Sequence, residues 1–159
     1  MNQITDETAA DAPDVVLGML LVNFCPAIVL IDSGAFRSFV SSQFAVQNQL
    51  DMHTLQPPFI IQSPGSVFKT DQICRWVIIE ILGVKFLANL IVIDSKGLDV
   101  ILGMDWLSKH QGQINCAQRS IAVTNEDGIP VVFHSKIVDS YLCAHQVDTI
   151  PTLESVPGD

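Results

Sequence analysis

The chain's 159 residues are 48% hydrophobic and 16% charged with a formal net charge of −9, enough apolar material for one buried core in one domain. Asp6, Glu7, Asp11 and Asp14 open the chain and Asp139, Asp148, Glu154 and Asp159 close it, leaving nine acids against all eight bases between Val15 and Ile137. That near-neutral middle offers no basic patch for a phosphate backbone, so direct nucleic-acid binding is excluded as the expected role.

Residues 1–14 read as a disordered acidic leader; with no positive start and no apolar core, it is not a secretory signal. Val15–Val22 and Pro26–Ile31 read as strands, with Asn23-Phe24-Cys25 turning between them. The apolar run Ile28 to Ile31 lands on Asp32-Ser33-Gly34. A carboxylate buried at a strand end is costly unless paired or hydrogen-bonded, and its usual role is chemistry with a perturbed pKa. Ser33 supplies a donor beside it, and Gly34 permits a sharp turn with backbone close to the acid. The same three residues also make an ordinary polar turn, so the motif alone leaves a simple β-sandwich open.

Ala35 to Val40 leads into a helix-compatible stretch that runs to Leu50. Pro57-Pro58 breaks the chain before Phe59-Ile60-Ile61, and Pro64-Gly65 is a turn signal between strands. Cys74–Ile81 and Val84–Ile93 are β-rich, separated by a hairpin at Leu82-Gly83. Val100-Ile101-Leu102 again lands on a glycine, Gly103, and Met104 to His110 reads as a short helix. Strand, glycine and helix thus occur twice, which suggests a repeated half-domain. Only the first copy has an acid directly before its glycine. Gln113–Cys116 and Ser120–Thr124 suggest another pair, Asn125 to Gly128 a turn, and Ile129–Phe133 a last strand. Residues 137–159, with Pro151 and Pro157, read as a linker toward an absent downstream domain.

Cys25, Cys74, Cys116 and Cys143 are far apart and read as small buried or partly buried thiols. His53, His110, His134 and His145 form no metal-spaced cluster, Cys143-Ala144-His145 being the only close Cys/His pair. No metal and no cofactor is expected. No apolar stretch reaches the ~20 residues of a membrane-spanning helix, so no membrane partner is expected, and the thiols suit a cytoplasmic setting.

Ile31-Asp32-Ser33-Gly34-Ala35, followed by Ser38-Phe39-Val40-Ser41, resembles the catalytic segment of retropepsin-type aspartic proteases. Asp99 to Leu107 is similar to the second signature of the protease in plant Ty3/gypsy retrotransposon polyproteins, and Ile61 to Val67 to that family's flap hairpin. The resemblance covers about Val15 to Phe133. It implies an all-β acid-protease fold over residues 15–136, a closed β-barrel or sandwich with one or two short helices. That domain would be one half of a two-fold homodimer.

The implied activity is aspartic endopeptidase cleavage of the polyprotein, inside the cell or within virus-like particles. Asp32, Ser33 and Gly34 would form the catalytic loop, with a water activated between the Asp32 carboxyls of two chains. Ala35, Phe36, Pro64, Gly65, Ser66 and Ile101 would meet the substrate. Two positions depart from the pattern: Phe36 replaces a small polar residue that helps hold the substrate backbone, and Arg37 stands where plant elements often have His. The alternative is a catalytically inactive or domesticated dimerisation or peptide-binding module of the same fold.

Overall fold

A computed structural model describes residues 14–63, 65–135 and 155–157. Strands β1 (Val15–Val22) and β2 (Cys25–Asp32) form an antiparallel hairpin. Its turn puts Asn23 and Phe24 at φ of 47° and 68°, the left-handed pair that matches the strand twist in a two-residue loop. The expected strands are both present, β2 one residue longer at each end than its apolar pattern.

Six strands then close on themselves. β2 pairs in parallel with β7 (Val100–Leu102), and β7 pairs antiparallel with β3 (Phe39–Ser41). β3 pairs in parallel with β6 (Val84–Ile93), β6 antiparallel with β5 (Ser66–Ile81), and β5 returns to β1 at Leu21 and Val22. The result is the expected all-β closed barrel with two short helices, α1 (Ser42–Gln47) and α2 (Met104–Lys109). Closure removes the open edges that an isolated sheet of this composition would expose.

Alternating residues of β2 enter two different cores. Val29 and Ile31 join a cluster with Val16, Val40, Phe86, Leu90 and Trp106, while Leu30 joins Phe39, Ile61, Ile91 and Ile101. A strand buried on both faces reads as an unbroken apolar run, which is the pattern of Ile28 to Ile31.

The stretch from Ala35 to Leu50 is helical only over the six residues of α1. Phe39 and Val40, both fully buried, are drawn into the barrel between β6 and β7 instead. Tertiary pairing outweighs local propensity there. Ser41 ends the strand and caps α1, its hydroxyl accepting from the Phe44 N–H at 3.0 Å. The Pro57-Pro58 break is also corrected: β4 (His53–Ser63) runs through it, with its ladder to β5 slipping between Thr54 and Phe59. Proline supplies no N–H, so the ladder is interrupted while the chain stays extended. The β5–β6 turn is at Leu82-Gly83, as expected.

A second sheet of β8 (Gln113–Asn115), β9 (Ser120–Thr124) and β10 (Pro130–His134) follows α2. His110 joins it to the barrel. Its buried ring meets the Trp106 carbonyl through Nδ1 at 3.0 Å and Glu126 Oε2 through Nε2 at 2.9 Å. Burial raises the Glu126 carboxyl, but the His110 hydrogen bond and the Leu87 N–H outweigh it and hold it below the usual range. At the far end Phe133 lies on Gly18, where a Cβ would come within 2.5 Å of its ring. A short β11 (Ser155–Pro157) pairs with Phe59–Ile61 of β4; the rest of the expected linker, with Cys143 and His145, lies outside the described residues. No described helix is long and apolar enough to cross a membrane.

Candidate active site

Asp32 is the last residue of β2 and only 4% exposed, the one buried carboxylate among the described residues. The chain turns sharply after it, and the Gly34 N–H donates back to Asp32 Oδ1 at 2.7 Å. Burial pushes the Asp32 carboxyl above its ordinary value, with the Gly34 hydrogen bond pulling the other way. Desolvation penalises the charged form, so the site favours holding a proton.

Ser33 is fixed from the chain entering β1. Its N–H donates to the Asp14 carbonyl at 2.9 Å, and its hydroxyl accepts from the Asp14 N–H at 2.8 Å. Asp14 in turn accepts from Cys116 Sγ at 2.9 Å. Cys116 is therefore exposed at this junction and not one of the buried thiols expected; Cys74 is buried and Cys25 half-buried.

The second glycine motif braces the first. The Ala35 and Phe36 carbonyls accept from the Met104 and Asp105 N–H groups at 2.7 and 3.1 Å. Ser38 sits between the two motifs: its hydroxyl donates to Asp105 Oδ1 at 2.6 Å and accepts from the Gly103 N–H at 2.9 Å, and its own N–H reaches Asp105 Oδ2 at 3.2 Å. Gly103 is required by close approach, since a Cβ would lie 2.3 Å from the Arg37 carbonyl oxygen and 2.6 Å from that of Ala35. Sequence reasoning gave no role to Ser38, Asp105 or Asp14. The available signal was Asp105 directly after Leu102-Gly103-Met104, an acid on the first turn of a short helix.

The residues expected to meet substrate are placed differently from one another. Ala35 is buried beneath the loop, and Phe36 projects outward at 59% exposure. Arg37 lies over the Phe59 ring of β4, 5.3 Å from its centroid, and so ties the Asp32 loop to the hairpin strand. Ile101 is buried between Leu30 and Phe39, where it supports the floor. Gly65, at φ 82°, forms the β4–β5 turn and Ser66 begins β5, while Pro64 lies outside the described residues. Among the described residues no three His, Cys, Asp or Glu side chains gather as a metal site.

A family model described as retroviral aspartyl protease matches residues 1–129. No curated protein matches the sequence. Among solved structures, the retroviral protease-like domain of Ddi1 from Leishmania major superposes with a TM-score of 0.55 at 16% identity, over 80% of this chain and 98% of that one. The EIAV protease complexed with the inhibitor HBY-793 gives 0.48 at 22% identity, over 62% and 88%. The Ddi1 likeness is one of fold. The family match takes in the Asp32 loop, the β4–β5 hairpin and the Gly103 brace together, and this chain belongs to the retroviral aspartyl protease family.

Proposed function

We propose that the chain is an aspartic endopeptidase that processes the polyprotein of a plant Ty3/gypsy-type retrotransposon, inside the cell or within virus-like particles, and acts as a homodimer. The observation that carries this reading is Asp32: a single buried carboxyl at a strand end, held by one backbone N–H and shifted toward its protonated form. Peptide hydrolysis by this chemistry needs two carboxyls sharing one proton. One takes a proton from the attacking water, and the other gives its proton to the carbonyl oxygen. Among the described residues there is no second acid of this kind. Asp105, the acid of the second motif, is bound to Ser38. The second carboxyl therefore comes from Asp32 of another copy across a two-fold axis. The β4–β5 hairpin, with Gly65 at its tip, is the flap that covers the peptide and excludes water.

A second reading rests on Phe36. Its exposed ring stands where a small polar residue would hold the substrate backbone, which favours an inactive or domesticated peptide-binding dimer. Incubation with a peptide library at acidic pH, with and without a pepstatin-type inhibitor, separates the two. Inhibitor-sensitive cleavage that is lost in Asp32→Asn supports the protease. A folded, inactive wild type whose Phe36→Ser variant cleaves assigns the defect to that ring, and inactivity of both supports the binding module.

A further inference from the structure

β4 stands outside the closed circuit of six strands, and β5 takes one of its two edges. The other edge is taken by the chain's own end. β11 runs antiparallel along it, with Ser155 opposite Ile61, Val156 opposite Ile60 and Pro157 opposite Phe59. A bare strand edge presents a row of unpaired N–H and C=O groups and is a template for an extended backbone. β11 fills that template over the stretch by which the hairpin meets the Asp32 loop. Ile61 packs in one cluster with Leu30, Ala35, Phe39 and Ile101, and the Phe59 ring carries the Arg37 guanidinium.

A ladder of three residues is short beside the usual strand of about 5–6, and it is poor in donors because Pro157 has no N–H. Its hold comes from belonging to the same chain. Residues 136–154 join β11 to the second sheet, so the strand competes for the edge at an effective concentration on the order of millimolar. Charge assists it. Residues 137–159 carry Asp139, Asp148, Glu154 and Asp159 and no Lys or Arg. The side of β4 they meet has Arg37 on Phe59, and Lys69 stands opposite Ile60 on β5.

We propose that β11 is an autoinhibitory strap: the chain's own acidic tail, laid as a strand on the edge of β4, fills the place where a peptide would pair with the hairpin beside the Asp32 loop. An incoming peptide must displace it. The inhibition rests on the hairpin being the flap of the proposed protease, whereas the docking of the tail does not.

The test uses the full chain and a variant carrying Ser155→Pro with Val156→Pro. Those two changes leave the strand without any N–H while keeping the length and charge of the tail. Amide hydrogen exchange in peptic fragments that span Phe59 to Ile61 should be faster in the variant, with its melting temperature within about 2 °C of wild type. A synthetic peptide with the sequence Ile150 to Asp159 should restore that protection saturably in the variant. In wild type it should need about tenfold more peptide, because the resident tail competes. With a cleavable peptide, KM should fall about threefold or more in the variant at unchanged kcat, the mark of a competitor removed. Equal exchange in the two chains overturns the strap, as does equal affinity for the added peptide. A sharply lower melting temperature also overturns it, because β11 would then be a structural support. If neither chain cleaves yet they differ in exchange and peptide binding, the docked tail stands and the protease reading falls. If both cleave with one KM, the protease reading stands and the strap falls.

Discussion

Asp32→Asn separates the two consequences of burying a carboxyl. Asparagine has nearly the same shape but cannot take the water's proton, so turnover should fall by about 10²–10⁴-fold in a chain that still folds. Unchanged turnover would remove Asp32 from the mechanism. Stability should move the other way. The folded-state pKa is raised, so the native chain binds the proton more tightly than the unfolded one, and stability falls as pH rises through the window above the unfolded value of 3.8. At pH 7 Asp32→Asn should therefore melt above wild type, by about 2–4 °C for each kcal/mol of desolvation relieved. The two melting curves should converge in acid, where both side chains are neutral; a variant that melts lower at pH 7 would contradict this. Gly103 makes a second test at this scale. Its neighbours are backbone oxygens that cannot swing aside, so Gly103→Ala should cost about 1–3 kcal/mol in denaturant unfolding. It should also lower turnover beyond what that loss explains, because the displaced carbonyls belong to Ala35 and Arg37 on the Asp32 loop, the proposed catalytic segment.

The elements around the site differ in what holds them. Helix α2 has six residues, too few to persist alone, and is fixed by the buried Trp106 and Leu107 and by the His110 link to Glu126. Its neighbours explain why a short helix was legible: the apolar pair and the glycine before it are both in the sequence. The β4–β5 hairpin is different, since β4 pairs outside the closed circuit of six strands. At its tip a Cβ on Gly65 would meet nothing within 4 Å, so the φ of 82° alone makes substitution costly. Gly65→Val should reduce peptide turnover several-fold and lower the melting temperature by no more than about 2–8 °C, the effect of a strain of about 1–2 kcal/mol at the turn. Normal cleavage by that variant would mean the hairpin is not a working flap. A large drop in melting temperature would mean that the tip supports the barrel.

At the scale of the whole molecule, the proposed dimer draws its second carboxyl from another chain, so activity would be a property of association. Specific activity should fall on dilution as monomer accumulates, with the midpoint at the dimer dissociation constant measured by ultracentrifugation. An excess of Asp32→Asn chains mixed with wild type should suppress cleavage, since mixed pairs carry an incomplete dyad. Full specific activity from a species that sediments as a monomer would defeat the dimer. The face carrying Ser33 holds a cleft of about 280 Å³ bordered by Asp14, Ser33, Met104, Leu107, Gln111 and Ile114.

The sequence by itself determined the barrel strands other than β3, the turns at Asn23-Phe24 and Leu82-Gly83, and the position of Asp32 at a strand end. These are local facts: an apolar run, a turn residue and a change of period are each contained in a few adjacent residues. Only the tertiary structure decided that Phe39 and Val40 leave a helical pattern for the barrel, because their partners on β6 and β7 lie some fifty residues or more away. It also decided that Ser38 and Asp105 clasp the two glycine motifs, and that Asp14 steadies Ser33. Those polar contacts join residues separated by 67 and 19 positions, and no periodicity records which acid a buried hydroxyl or backbone N–H will find once the chain has closed on itself.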